Sequence, residues 1–139
     1  MLMSLRRGLS VLVAASLLLS CGMIARPAHD FETASRDYVQ RLRWMDPAGA
    51  ARHHSDEYRE SFRKRFGELK DLQIVDVHLE SVDLQEEAGQ AETSILLEYY
   101  LLPSTTVKQF RLRQEWAYLG GDRYHSGSWL IVTPPPAFP

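Results

Sequence analysis

The stretch Thr106-Val107-Lys108-Gln109-Phe110-Arg111-Leu112-Arg113-Gln114-Glu115-Trp116-Ala117-Tyr118-Leu119 decides the fold. Its apolar residues recur every second position. Phe110, Leu112, Trp116 and Tyr118 face one way, and Gln109, Arg111, Arg113 and Glu115 face the other. A period of two means a half-buried strand, with one side on a core and the other toward water. Outward from it, the same period predicts strands near 72–84, 91–102 and 123–133 around this one at 106–119. Strand 91–102 places Ile95, Leu97, Tyr99 and Leu101 together, and the last strand contributes Trp129 and Ile131. The inner face therefore reads as almost wholly apolar and aromatic.

The connections are short. Gln85–Gln90 carries Glu-Glu-Ala-Gly, Pro103-Ser104-Thr105 makes the next turn, and Gly120-Gly121-Asp122 is a hairpin signal. Short turns between successive strands give an antiparallel meander. Pro134-Pro135-Pro136 stops the last strand, since proline has no N–H for a ladder. The first strand changes phase. Val75, Val77 and Leu79 lie on one face and Val82 and Leu84 on the other, which places a β-bulge near 79–82.

Upstream the period becomes 3.6. Phe31, Ala34, Tyr38, Leu42 and Met45 form one face of a helix over 30–45, with Asp30 as its N-cap. Asp46-Pro47 stops it and starts a short helix over 47–53. Ser55 caps a third helix, whose buried stripe is Tyr58, Phe62, Phe66 and Leu69.

The first twenty residues read differently. Arg6 and Arg7 precede the apolar run Leu9–Leu19, which is of signal-peptide length and shorter than the roughly 20 residues of a membrane-spanning helix. Leu18-Leu19-Ser20-Cys21 follows. This tetrad resembles the bacterial lipobox, although Leu19 stands where a smaller residue is commoner. The resemblance implies cleavage before Cys21 and acylation of its thiol. With Gly22 next, rather than aspartate, it implies the outer membrane over the inner. The rival reading is an ordinary secretory signal with an incidental thiol. Cys21 is the only cysteine, so no intrachain disulfide competes for it. On this reading the chain divides into a signal peptide (1–20), a short tether (21–29), an α+β domain (30–133) and a Pro-rich tail (134–139).

The 139 residues carry 16 basic and 18 acidic side chains, a net charge of -2. Setting aside Arg6 and Arg7 leaves the remainder more acidic still. No basic stripe is left to attract nucleic acid.

Helices followed by four antiparallel strands resemble the NTF2-like (cystatin-like, α+β cone) superfamily over residues 30–133. The segments Leu97–Val107, with Leu102-Pro103-Ser104-Thr105-Thr106-Val107, then Arg113-Gln114-Glu115-Trp116 and Ser128-Trp129-Leu130-Ile131, look like small proteobacterial lipoproteins of that shape. The resemblance implies N-terminal helices packed on a curved four-stranded antiparallel sheet, closed toward a cone. Superfamily members include isomerases, dehydratases, adaptors and assembly subunits, so the fold does not choose among functions.

Candidate chemistry is sparse. Asp76, His78 and Glu80 alternate on the first strand, where a histidine beside carboxylates can relay protons. They read first as a polar solvent face opposite Val75, Val77 and Leu79. His53-His54 with Asp56 has metal-ligand residue types, yet adjacent histidines on a helix point about 100° apart. They read as an exposed helix junction, and no metal or cofactor is implied. His125 reads as a surface residue. Tyr99, Phe110, Trp116, Tyr118 and Trp129 form either a filled core or the wall of an apolar ligand pocket. Arg111 and Arg113 read as a solvated face or a partner surface. The favoured function is a non-catalytic, membrane-tethered binding or accessory module for an envelope protein or a small apolar ligand. The alternative is a small cofactor-independent isomerase or hydrolase using Asp76 and His78.

Overall fold

The computed structural model describes residues 27–121 and 127–139. The lipobox reading, with Cys21, lies outside the described residues, as do most of the tether, His125 and Asp122 of the hairpin. Helix α1 spans Pro27–Arg43, α2 Pro47–Ala51 and α3 Asp56–Glu68. Strands β1 (Leu72–Gln85), β2 (Gln90–Leu101), β3 (Lys108–Leu119) and β4 (Ser128–Ile131) follow. Among the described residues, no helix is long and apolar enough to cross a membrane.

Helix α1 starts earlier than the apolar spacing indicates. Pro27 suits the first turn because its φ is already helical and its missing N–H is not needed there. Asp30 is thus a first-turn acid rather than the N-cap, and favours the positive end of the helix dipole. Phe31, Tyr38 and Leu42 are buried as their spacing requires. Asp46 does cap α2, its Oδ1 accepting from the Gly49 N–H at 2.9 Å. Ser55 occupies the N-cap of α3, with no hydrogen bond from its side chain to the cap.

The sheet order is β1-β2-β3-β4, all antiparallel, as the meander demands. Gly89 adopts φ +62°, the left-handed conformation that closes the short 3₁₀ turn between β1 and β2 without a Cβ clash. Two register shifts interrupt β1, between Ile74 and Asp76 and between Leu79 and Ser81. The second is the bulge that the phase change indicates. The first was not legible, and it throws Val75 outward to 50% exposure while Val77 stays buried.

The expected cone is not formed. β1 and β4 are the two edges of an open sheet, which is neither closed nor strongly curled. The physical reason lies in where the irregularities fall. Both bulges sit in the edge strand β1, and the β2–β3 ladder runs from Gln90↔Ala117 to Tyr99↔Lys108 without a register shift. Bulges bend the strand that carries them. The central pair therefore has no bulge to bend it. β4 has four residues and covers only the Trp116–Leu119 end of β3.

The helices cover one face. Phe31, Tyr38 and Leu42 of α1 and Phe62 and Phe66 of α3 share a core with Leu72, Val77, Ile95, Leu97, Leu112, Trp116 and Ile131. Each such side chain contributes roughly 1.5–3 kcal/mol through the apolar area it removes from water. The segment after β4 also joins this face. The Phe138 ring packs on Tyr99 at 4.9 Å and on Phe110 at 4.7 Å between centroids.

Candidate functional site

The helix junction His53-His54 is not exposed. Ser55 N–H donates to the Ile131 carbonyl at 2.9 Å, and Ile131 N–H donates to the His53 carbonyl at 2.7 Å. This parallel bridge sews the junction to β4 and turns the two imidazoles apart. His54 enters the core at 1% exposure and stacks on Phe62 at 4.1 Å. His53 meets Asp37, Nε2 to Oδ2, at 2.7 Å. The intuition that adjacent histidines diverge holds, but only His54 goes to the interior, while His53 sits half-buried against Asp37.

His54 lines a cavity between α1, α3 and the inner sheet face, with Tyr38, Phe62, Phe110, Leu112 and Gln114. Its volume is about 40 Å³. The walls are apolar and the floor is polar. Gln114 Nε2 donates to Tyr38 Oη at 2.9 Å, and Tyr38 Oη lies 3.4 Å from His54 Nε2. Once the amide donates to the hydroxyl, the hydroxyl's own proton is free to point at the imidazole. Among the described residues, two buried atoms of these side chains have no hydrogen-bond partner: His54 Nδ1 and Gln114 Oε1. A polar atom left so costs about 1–3 kcal/mol.

Burial sets the protonation states. It pulls His54 down to about 4, helped by the nearby charges of His53 and Arg59. It raises Tyr38 above the ordinary phenol range, against the Gln114 hydrogen bond. At neutral pH both groups are uncharged, one a hydroxyl donor and the other an imidazole. Among the described residues no carboxylate lines this cavity.

The residues singled out from the sequence fall in three places. Asp76 and His78 do meet, Oδ2 to Nε2 at 3.0 Å, but on the half-exposed outer side of β1, away from the cavity. Asp76 also holds Arg43 at 2.6 Å. Its carboxyl lies below the usual range, chiefly because the Val77 N–H donates to it, with Arg43 and His78 adding to the effect. Glu80 pairs with Arg111 at 2.6 Å and accepts from Ser94. The three thus form a saturated polar surface. Of the aromatic cluster, Phe110 lines the cavity and Tyr99 meets Phe138. Trp116 and Trp129 are core, both packed on Phe31, and Tyr118 lies against Trp129.

Tyr38 and Gln114 went unremarked as site residues, and His54 was weighed only as a metal ligand and read as exposed. Gln114 carried the one available signal: it stands in phase with Leu112 and Trp116 on the inner face, where a polar side chain needs a reason. A second groove runs past Asp37, Arg52, His53, Arg59 and Ser128 and opens to solvent. Among the described residues no group of three histidine, cysteine or acidic side chains is placed to hold a metal ion.

No protein-family model matches the chain, and no curated protein matches it. Solved structures do. A SEC-C motif containing protein from Psychrobacter arcticus aligns with a TM-score of 0.56 and 7% identity, over 78% of this chain and 61% of that one. This chain therefore spans about three fifths of that protein's length. A ketosteroid isomerase-like protein from Erwinia carotovora atroseptica aligns with a TM-score of 0.55 and 11% identity, over 75% of this chain and 89% of that one. At such identities the likeness is one of backbone alone: the chain has the small α+β fold of NTF2-like, cystatin-like domains.

Proposed function

We propose that the domain takes an apolar small molecule bearing a carbonyl group into the cavity, and acts on it as a cofactor-independent enzyme of isomerase or hydrolase type. One observation carries this: a neutral Tyr38–His54–Gln114 chain on the floor of an otherwise apolar cavity. The likeness to a ketosteroid isomerase-like protein agrees with it at the level of fold. The chemistry follows from the hydrogen bonds. When a ligand oxygen enters, the Tyr38 hydroxyl turns from the imidazole to that oxygen, with Gln114 holding the phenol in place. His54 Nε2 is then free to take a proton from the carbon beside the carbonyl. The C–H electron pair becomes the enolate, whose oxygen Tyr38 stabilises, and the imidazolium returns the proton to carbon.

The test is exchange of the acetophenone methyl protons for deuterium, followed by NMR. Wild-type protein should accelerate it over buffer. Tyr38→Phe and His54→Gln should each lose about 100-fold of that acceleration. Loss confined to an Asp76→Ala, His78→Ala double variant would move the chemistry to β1. Binding without any acceleration would remove the enzyme reading.

That last outcome would favour the second reading, a non-catalytic binding or accessory module. It too has an observation behind it: the cavity has no carboxylate among the described residues, and an imidazole pulled down to about 4 is a weak base.

The cellular setting rests on the N-terminal sequence. The run Leu9–Leu19 and the tetrad Leu18-Leu19-Ser20-Cys21 support a lipid-anchored protein of the cell envelope, facing the periplasm, in the outer membrane by the Gly22 rule. Its partners would be the membrane through that lipid, and an envelope protein or the small ligand. Intact mass of protein from a bacterial membrane fraction decides it. A species beginning at Cys21 with added acyl mass, absent in Cys21→Ala, is expected. An unmodified species cut elsewhere would end the anchor claim.

A further inference from the structure

The cavity has a mouth, and the chain itself stands in it. After β4 the backbone crosses α3 as Pro134-Pro135-Pro136 and delivers Phe138 against Tyr99 and Phe110. These two are diagonal neighbours on the inner face, since Leu97 pairs with Phe110 and Tyr99 with Lys108. Among the described contacts, two hydrogen bonds hold this strap, both from Arg65 Nη1, to the carbonyls of Pro135 at 3.2 Å and Pro136 at 3.0 Å. The three prolines have no N–H and cannot zip onto the sheet as another strand. Arg65 is exposed, so water competes for its bonds.

The strap therefore combines an apolar anchor with weak fastening. It also explains the cavity's size. A volume of about 40 Å³ suits a few waters, whereas an apolar space of about 150 Å³ accommodates a benzene-sized ligand. Lifting Phe138 frees the space of one phenyl ring. The freed site would have aromatic walls at Tyr99 and Phe110 and, deeper, the unpaired Gln114 Oε1 and His54 Nδ1.

We infer that Phe138 is a displaceable occupant of a ring-binding subsite, and that the strap holds the cavity shut against its ligand, a planar aromatic compound with a carbonyl or hydroxyl group. The inference rests on the reading of the cavity as a binding site. The ring of such a ligand replaces Phe138, and its polar group reaches the floor. A protein that is closed most of the time binds more weakly by the fraction of time it is open.

The experiment titrates the full chain with two eight-carbon ketones, acetophenone and 2-octanone, watching the Gln114 side-chain amide by NMR. Phe138→Ala should bind acetophenone about tenfold more tightly than wild type. Arg65→Ala, which loosens the strap and leaves the ring intact, should shift affinity the same way by less, and stands in if Phe138→Ala fails to fold. The gain for 2-octanone should be smaller. Acetophenone binding that is unchanged or weaker in both variants would show Phe138 to be wall rather than plug, and would leave the proposed function standing. An equal gain for both ketones would overturn the ring subsite. If neither ketone binds any of the proteins, the cavity reading falls and the strap with it.

Discussion

Trp116→Ala is expected to destabilise the domain by about 3–5 kcal/mol, the largest effect of any single truncation considered. Trp116 is 1% exposed. Its ring stands edge-on to Phe31 at 5.6 Å and to Tyr38 at 5.8 Å, so it joins helix α1 to the sheet. Its indole N–H donates to Thr93 Oγ1 at 3.0 Å. Truncation leaves a cavity and also strips Thr93, itself 1% exposed, of that partner. A domain of this size has roughly 5–15 kcal/mol to lose. Thermal unfolding should therefore fall by upward of about 10 °C. Trp44→Ala is the control. Trp44 is 70% exposed, and its loss should change stability by no more than about 0.5 kcal/mol. Equal melting shifts for the two variants would mean that Trp116 does not bridge the layers.

The second large effect depends on pH and comes from His54. Its pKa is depressed to about 4 in the folded state against an ordinary 6.5. Between those values the unfolded chain binds a proton that the folded chain refuses. Stability is thus fully present above pH 6.5, falls as the pH drops through that window, and levels off below about 4. A gap of this size amounts to about 3 kcal/mol. His53 is also depressed by burial and acts in the same direction, partly offset by Asp37. Urea midpoints measured from pH 7.5 to pH 4 separate the two. Wild type should lose about 3 kcal/mol more over that range than His54→Gln, in which His53 still titrates. Parallel curves would show that His54 is not held neutral, and would undercut the proton chemistry assigned to it.

Both effects arise at residues whose importance the sequence conveys unevenly. Trp116 was legible because strand alternation puts it inward with Phe110 and Leu112, and a buried tryptophan is expensive wherever it occurs. His54 was not. In a linear reading, two histidines beside Ser55 and Asp56 resemble a wet helix junction. The bridge from Ile131 to that junction, between residues some 77 positions apart in the chain, reverses the assignment. Gln114 lies between these cases. Its phase on β3 is inward, but only the approach of Tyr38 from α1 shows that its amide has a partner. Asp76 and His78 illustrate the opposite: a suggestive spacing whose Asp76 carboxylate is already engaged by Arg43 and by His78 on the outer side.

Local periodicity was sufficient for the order of elements, the antiparallel meander, the second bulge of β1 and the Asp46 cap. These follow from forces acting between near neighbours: steric preference, turn chemistry and the apolar stripe. The lipobox reading rests on the Leu18-Leu19-Ser20-Cys21 tetrad and the apolar run before it, and Cys21 lies outside the described residues. Tertiary structure decided that the sheet stays open, because sheet curvature depends on which strand holds the bulges and how far β4 reaches. It likewise decided that His54 is buried, that Tyr38 stands between it and Gln114 within hydrogen-bond reach of both, and that Phe138 packs on Tyr99 and Phe110. Each of these depends on contacts between residues remote in sequence, and alternation along one strand or helix carries no information about its distant partners.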